Sequence, residues 1–208
     1  MGMADQPSLF AEAPLEPPGF VYRRDLINQD EEAGLVAAFA DLPFMAFEFH
    51  GFLGKRRTVS FGHKYDYSAG RLDPAPAIPE FLHDLRDRAA QFIDVSADAF
   101  AHALITEYEP GVTIGWHRDR PQFDKVVGIS LAAPCLFRFR RRTATGFERI
   151  SHRLEPRSIY LLDGPARSAW EHSIPPVEAR RYSVTFRTLR QASSPSRAAR
   201  GQNAAVQE

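Results

Sequence analysis

Two stretches near the N-terminus carry apolar residues at the spacing of a helix. From Asn28 the chain reads NQDEEAGLVAAFADLP, in which an N-cap and first-turn acids precede an apolar stripe that ends before Pro43. The stretch IPEFLHDLRDRAAQFI repeats its apolar residues at i, i+3, i+4 and i+7, with Pro79 in its first turn. The pattern therefore predicts one helix from Asn28 and a second over residues 78–93.

After about residue 100 the pattern changes to short β-favouring runs separated by turn residues. The runs are ALITEY, VVGISL, LFRFR, SIYLL and RYSVTFR. Short strands that follow one another without intervening helices are typical of an antiparallel sandwich or barrel. We therefore predict an α+β, mainly β protein, in which N-terminal helices pack on a β-barrel or jelly roll.

Length and composition indicate one folded domain between two loose ends. The chain has 208 residues, of which 44% are hydrophobic, enough for one sizeable core. Residues 1–18 lack periodicity and are rich in Ala, Pro and acidic side chains, and residues 191–208 are small and polar. We expect a flexible arm over 1–18, a domain over 19–190 and a disordered tail over 191–208.

Cysteine usage and hydropathy bear on the compartment. Cys135 is the single cysteine, which excludes an internal disulfide framework and a cysteine-rich zinc site. The sequence contains no apolar run that resembles a signal-peptide core or a membrane span. These features favour a cytoplasmic protein without a membrane partner.

Charge is neutral in total but uneven along the chain. The 26 basic residues equal the 26 acidic residues in number, and only three of the basic residues are lysines. Residues 1–32 hold seven acids and two arginines, whereas residues 138–157 hold seven arginines and two glutamates. The basic run FRFRRR fits an exposed strand face as well as a ledge that contacts phosphates, and the run alone does not decide between them.

The segment GWHRDR places an imidazole and a carboxylate two residues apart. In an extended chain, His117 and Asp119 project to the same face. Downstream, AWEHSIP contains His172, which by itself is typical of a core or turn histidine. Together the three residues form the two-histidine, one-carboxylate set that holds iron and leaves coordination positions open.

The run RYSVTFR is a predicted strand that contains charged residues. Alternation places the apolar residues on one face and four polar residues on the other, namely Arg181, Ser183, Thr185 and Arg187. A solvent-facing polar strand would explain this pattern. If the polar face lies inside a barrel, an anionic ligand would pair the buried guanidinium groups, and arginine suits a carboxylate by its bidentate geometry.

From about Ala103 to Leu189 the chain resembles the AlkB family of iron(II)- and 2-oxoglutarate-dependent dioxygenases. Three segments occur in the family's order: YEPGVTIGWHRD, LLDGPARSAWEHSI and RRYSVTFR. The resemblance implies a double-stranded β-helix and an enzyme that uses Fe(II), 2-oxoglutarate and O2. It also implies that His117, Asp119 and His172 hold the iron and form the catalytic centre.

The same resemblance implies how the co-substrate is bound. Arg181 would clamp the distal carboxylate of 2-oxoglutarate, and Tyr108 would form a hydrogen bond with the co-substrate. Arg187 would lie near the metal-bound end and orient Asp119. Thr106 and Ser183 stand where many members of the family have asparagine, and both remain polar at co-substrate positions.

The substrate is less clearly indicated. KRRTVSFGHKYDYS resembles the family's substrate-recognition lid, so that Tyr65, Tyr67 and Arg56 are substrate-binding candidates, although an ordinary hairpin would also explain the segment. Arg120 and Pro121 stand where DNA-repair members often have an acidic residue. We predict oxidative demethylation of alkylated DNA or RNA. A protein hydroxylase or demethylase with the same iron site and a catalytically silent binding module are the alternatives.

Overall fold

A computed structural model describes residues 16–49, 52–66 and 70–190, which form thirteen strands and three α-helices. The predicted tail over 191–208 and most of the predicted arm over 1–18 lie outside these residues. The helices are α1 (Gln29–Phe39), α2 (His83–Phe92) and α3 (Gly164–Ser168), with 3₁₀ turns at Glu80–Leu82 and Ala97–Ala99. The strands are β1 (Phe20–Arg23), β2 (Met45–Phe49), β3 (Phe52–Phe61), β4 (His63–Asp66), β5 (Arg71–Pro74), β6 (Phe100–Tyr108), β7 (Ile114–His117), β8 (Phe123–Leu131), β9 (Cys135–Thr143), β10 (Gly146–Leu154), β11 (Ser158–Leu162), β12 (Glu171–Ile174) and β13 (Arg181–Leu189).

The last eight strands are divided equally between two antiparallel sheets. The large sheet has seven strands in the order β1-β11-β8-β13-β6-β3-β2, and the small sheet has four in the order β10-β9-β12-β7. Strands β4 and β5 form a separate hairpin. Because β6, β8, β11 and β13 lie in one sheet and β7, β9, β10 and β12 in the other, the strands make a double-stranded β-helix. The predicted mainly β jelly roll is confirmed.

Strand β13 shows how the sequence places a polar surface inside the barrel. Its apolar residues Tyr182, Val184 and Phe186 belong to the core that the helices cover, which includes Phe39 and Leu85. Alternation then turns the other face of β13 toward the small sheet. A second apolar cluster, containing Phe137, Phe139 and Trp170, fills the space between the sheets. The polar face of β13 is therefore buried among side chains of both sheets.

The two predicted helices form with one change of boundary. Asn28 is the N-cap of α1 and exchanges hydrogen bonds with Glu31 in a capping box. The second helix starts later than predicted, because Pro79 has an extended backbone and precedes a 3₁₀ turn, so that the α-helix begins at His83. No helix among the described residues is long and apolar enough to cross a membrane.

A buried carboxylate fixes α1 to the large sheet. Glu32 is buried, accepts a hydrogen bond from the backbone N–H of Ala132 at 2.9 Å and pairs with the guanidinium of Arg157 at 2.8 Å. Ala132 and Arg157 both have positive φ angles, of 69° and 63°. The carboxylate thus stabilises two turns whose backbone conformations are unfavourable for residues other than glycine.

Replacing this carboxylate should destabilise the fold. We expect Glu32→Ala to lower the free energy of unfolding by about 2 kcal/mol, since it leaves a buried N–H and a guanidinium without their acceptor. Urea unfolding measures the change. Asp30→Ala, an exposed first-turn control in α1, should cost no more than about 0.5 kcal/mol. Equal losses in the two variants would contradict the role given to Glu32.

Candidate active site

The structure brings His117, Asp119 and His172 together at one end of the small sheet. Strand β12 pairs with β7 so that His172 lies directly opposite His117, and the two ring centroids are 4.2 Å apart. Oδ2 of Asp119 lies 3.6 Å from Nε2 of His172. Three side chains separated by up to 55 positions in the chain thus converge on one point.

Asp119 reaches this point differently from what the sequence predicted. Strand β7 ends at His117, so Asp119 lies in the following loop and strand alternation does not place it. Instead, the buried guanidinium of Arg167 in α3 donates hydrogen bonds to the carbonyl oxygens of Asp119 at 3.0 Å and Phe123 at 2.9 Å, and also to that of Arg120. Arg167 fixes the loop through its backbone, a role that no spacing in the sequence indicates.

Arg187 connects Asp119 to the large sheet. Its Nε and Nη2 donate to Oδ1 of Asp119 at 3.2 and 3.0 Å, and its Nη1 donates to Nδ1 of His102 at 3.2 Å. One carboxylate oxygen is therefore occupied by the guanidinium, while Oδ2 faces His172. The sequence did not single out His102, because a histidine in the middle of a β-favouring run is typical of a core residue.

The protonation states of these groups follow from burial and charge. Burial lowers the pKa of His172 to about 3 and also lowers the pKa of His117. Burial alone would raise the pKa of Asp119, but the adjacent Arg187 guanidinium and the histidines lower it below its usual value. At neutral pH the cluster therefore holds two neutral imidazoles and one carboxylate, the forms that bind a divalent metal ion.

The cluster fits a metal ion in the chemical type of its donor atoms. Nδ1 of His117 lies 2.9 Å from the carbonyl oxygen of Gly115 and can donate to it, which leaves Nε2 as the free ligand atom. Neighbouring ligand atoms on bonds of about 2.1 Å are about 3 Å apart in an octahedral site, compared with 3.6 Å between His172 and Asp119. Among the described residues, no three His, Cys, Asp or Glu side chains are arranged to hold a metal ion as they stand. Metal coordination by these three residues therefore requires their side chains to shift from the positions described.

A second cluster lies at the far end of the polar face of β13, around Arg181. This guanidinium is fully buried; its Nε donates to Oγ of Ser130 at 3.2 Å, and its Nη1 and Nη2 have no hydrogen-bond partner among the described residues. It lies 4.8 Å above the ring of Tyr108, whose hydroxyl is 3.5 Å from Oγ of Ser183. A buried cation with two free donor nitrogens fits a carboxylate ligand.

Small polar residues connect the two clusters across the large sheet. Ser183 lies opposite Thr106 on β6 and opposite Ser130 on β8, and all three residues are buried. Thr185 lies on the same face of β13 and is also buried. The run VVGISL predicts a strand but does not mark Ser130 as a site residue. The inner face of the sheet thus presents hydroxyl groups between Arg181 and Arg187.

The lid candidates lie beside the loop that carries Asp119. The guanidinium of Arg120 lies 5.0 Å above the ring of Tyr65 on β4. Arg56 on β3 interacts electrostatically with His117 and stacks on Phe47 at 3.7 Å. Tyr67 lies outside the described residues.

A basic and an aromatic residue near these segments, Arg57 and Trp170, have structural partners. Arg57 forms an ion pair with the buried Glu107 at 2.5 Å. Trp170 is 1% exposed and belongs to the core between the sheets, so it cannot stack on a base.

Arg138 and Arg140 of the basic run lie on the outer face of the small sheet. Phe137 and Phe139 are buried, as alternation predicts, and the intervening arginines point outward. Arg140 pairs with Glu171 on β12 at 2.6 Å and lies 4.6 Å from the ring of Trp116. Arg141 alternates to the other face of β9, where it pairs with Glu148 at 2.6 Å and lies 4.9 Å from the ring of Trp170. Carboxylates from neighbouring strands therefore offset part of the positive charge that the sequence segment carries.

A jelly roll with an internal cluster of two histidines, one aspartate and a buried arginine is typical of an oxygenase. The chain belongs to the 2OG-Fe(II) oxygenase superfamily, whose family model matches residues 45–194. This match includes every strand from β2 to β13 and all the residues of both clusters.

Relatives within the family are similar over most of the chain. The Alkylated DNA repair protein ALKBH8 homolog of Arabidopsis thaliana is 26% identical over 193 residues, which cover 81% of this chain and 54% of that protein. The alpha-ketoglutarate-dependent dioxygenase AlkB of Escherichia coli (strain K12) is 30% identical over 145 residues, covering 60% and 64% of the two chains. The tRNA demethylase abh1 of Schizosaccharomyces pombe is 26% identical, and the matched residues cover 42% of that protein.

One solved structure has the same fold. The structure of OsALKBH1 superposes with a TM-score of 0.61 at 16% identity and covers 84% of this chain and 98% of that one. The predicted resemblance to the AlkB family is confirmed by the named relatives. The chain spans between 42% and 64% of the three curated relatives described above.

Burial of the histidines should make stability depend on pH. Burial lowers the pKa of His102, His117 and His172 in the folded protein, whereas an unfolded histidine titrates near 6.5. Below pH 6.5 the unfolded chain therefore binds more protons, and we expect the metal-free protein to lose up to about 1.4 kcal/mol per pH unit for each buried histidine. Urea unfolding at pH 7.5 and pH 5.5 measures this loss.

A variant of His102 isolates one contribution to this pH dependence. Asn at position 102 keeps an acceptor for Arg187 but cannot be protonated, so His102→Asn should make the pH dependence shallower. Equal stability of the original protein at the two pH values would contradict the burial of neutral imidazoles.

Proposed function

We propose that the protein is an Fe(II)- and 2-oxoglutarate-dependent dioxygenase that removes alkyl groups from nitrogen atoms of DNA or RNA bases. One observation carries the proposal. Asp119 faces His172 and is held by Arg187, while the Arg181 guanidinium lies on the same sheet face with two unpartnered nitrogens. A metal-ligand cluster and a buried carboxylate receptor on one surface suit an oxo-acid that binds a metal at one end.

Each residue of the two clusters has a role in this proposal. His117, Asp119 and His172 would hold the iron on one side, and the protein leaves the opposite side to small ligands. Arg187 would keep Asp119 ionised and fix its second oxygen. At the other end Arg181 would bind the far carboxylate.

Three hydroxyl-bearing residues complete the co-substrate pocket. Tyr108, Thr106 and Ser183 would line it with hydrogen-bonding groups. All three are buried on the large sheet next to Arg181 in strand register.

Iron held by His117, Asp119 and His172 would, with 2-oxoglutarate and O2, supply the oxidation: one oxygen atom would go to succinate and the other into a C–H bond of the substrate, with release of CO2. On an N-methyl group the product would be an N-hydroxymethyl group, which loses formaldehyde and leaves N–H. The protein's own residues position the ligands and exclude water. Phe137, whose ring lies 5.3 Å from that of His172, and Phe139, which is opposite His172 in the strand register, would serve this exclusion.

Base recognition is supported by the surroundings of the metal cluster. Tyr65 and Arg120 stack beside the loop of Asp119, and Arg56 brings positive charge to His117. A flipped base needs a stacking surface, and its phosphates need cations. The relatives named as DNA-repair and tRNA-demethylase proteins support nucleic acid as the substrate class. Localisation in the cytoplasm remains a prediction from the sequence.

Turnover should depend on His117. We expect the protein with iron, 2-oxoglutarate and a methylated DNA, RNA or transfer-RNA oligonucleotide to release succinate and formaldehyde in equal amounts. His117→Ala should reduce succinate formation more than about 100-fold, because it removes a ligand and not only a supporting contact. His83→Ala, in α2, is the matched control and should retain turnover.

The possible outcomes separate the substrate classes. Succinate release with methylated peptides but with no oligonucleotide would favour a protein hydroxylase or demethylase. Absence of succinate with every substrate, including slow turnover of 2-oxoglutarate alone, would contradict an enzyme and favour a binding module.

The arginines of β9 provide a test of nucleic-acid binding. If Arg138, Arg140 and Arg141 contact phosphates, replacing all three with Gln should weaken oligonucleotide binding at low salt. The slope of log Kd against log salt should fall by about 0.7–0.9 for each phosphate that the variant no longer neutralises. Fluorescence anisotropy at several salt concentrations measures both quantities.

The control removes the same charge elsewhere. Arg23, Arg24 and Arg180 are exposed and lie outside the strands of the small sheet. Their combined replacement with Gln should leave the salt slope unchanged. An identical response of the two triple variants would show that the basic run is an ordinary solvent-facing strand.

A further inference from the structure

One buried phenol inside the barrel has no role in the site described above. Tyr160 on β11 is 7% exposed and lies between the sheets, with its ring 5.1 Å from that of Phe137. Its strand neighbours on the same face are Ser158 and Leu162, both buried. The sequence run SIYLL predicts a strand but gives no reason for a tyrosine at an interior position.

Gly128 allows this phenol to extend over the large sheet. Gly128 on β8 lies directly opposite Tyr160, and a Cβ atom at position 128 would overlap Cζ, Cε1 and the hydroxyl oxygen of the tyrosine. The distal half of the ring therefore lies across β8. Because β8 separates β11 from β13 and Gly128 lies opposite Thr185, the hydroxyl points toward the polar face of β13 between Arg181 and Arg187. The backbone of Gly128 is not in the left-handed region, so only the ring requires glycine there.

The phenol and Arg181 present complementary groups to one ligand. The two residues interact electrostatically, and Nη1 and Nη2 of Arg181 have no hydrogen-bond partner among the described residues. Burial raises the pKa of Tyr160, so its hydroxyl stays protonated and can donate. A carboxylate has about four acceptor positions, enough for a bidentate guanidinium and one further donor.

We propose that Tyr160 is a second binding residue for the far carboxylate of the co-substrate and, together with Gly128, makes the pocket select dicarboxylic oxo-acids. The inference rests on the proposed function, since it concerns the same co-substrate pocket. Arg181 provides the charge, and Tyr160 provides a donor from the opposite side of β8. An oxo-acid that ends in a methyl group would leave both donors without an acceptor.

Binding measurements with two ligands test this role without turnover. The Mn(II)-loaded protein is titrated by calorimetry with 2-oxoglutarate and with 2-oxopentanoate, which has the same chain length but no far carboxylate. We expect Tyr160→Phe to raise the Kd of 2-oxoglutarate about 10- to 100-fold, which is the range for loss of a hydrogen bond to a charged group. The Kd of 2-oxopentanoate should not change.

A matched tyrosine provides the control. Tyr182 lies on the opposite face of β13, where its hydroxyl donates to Glu107 at 3.0 Å. Tyr182→Phe should leave the Kd of both ligands unchanged. Unchanged 2-oxoglutarate binding in Tyr160→Phe, or equal weakening of both ligands, would overturn the role of Tyr160.

Gly128 provides an independent test of the geometry. Gly128→Ala should displace the phenol and raise the Kd of 2-oxoglutarate about as much as Tyr160→Phe does. In a Tyr160→Ala background, where the overlapping ring is gone, the same Gly128→Ala change should add no further loss. Equal effects in the two backgrounds, or none in either, would contradict the proposal, and thermal unfolding identifies any variant that fails to fold.

Failure of this inference is distinguishable from failure of the proposed function. If the original protein does not bind 2-oxoglutarate, the proposed function is wrong. If it binds and Tyr160→Phe binds equally well, only the role of Tyr160 is wrong.

Discussion

The buried ion pair between Arg187 and Asp119 is the interaction on which the site depends. Arg187 belongs to the large sheet and Asp119 to the loop after β7 in the small sheet, and their side chains are 11% and 9% exposed. Removing one partner of a buried pair leaves an uncompensated charge, which costs about 3–5 kcal/mol. Because the same carboxylate faces His172, the contact that joins the two sheets also determines the geometry of the proposed ligands.

Local pattern accounts for the parts of the fold that depend on periodicity. The alternation in RYSVTFR correctly predicted that Arg181 and Arg187 share a face, because one face of β13 meets the apolar helices and the other must take the polar residues. The capping signal at Asn28 located the start of α1 for a similar reason. Such predictions succeed where the determining contacts lie within a few residues of one another.

The remaining features depend on partners that are distant in the chain. Arg167 acts on carbonyl groups 44 to 48 positions away, and the need for glycine at position 128 arises from a ring 32 residues later. The charge of the basic run is likewise reduced by Glu171, which strand pairing places beside Arg140. None of these relations changes the composition or the spacing of either segment, so the sequence of one strand cannot indicate them.

Arg167 holds the Asp119 loop through backbone carbonyl oxygens and not through the side chains of the loop. A guanidinium that binds only carbonyl oxygens imposes no requirement on which residues occupy positions 120–122. The side chain of Arg120, which stacks on Tyr65, can therefore be exchanged while the loop path is maintained. The rim proposed to contact the substrate is thereby open to change by mutation, independently of the residues proposed to hold the metal.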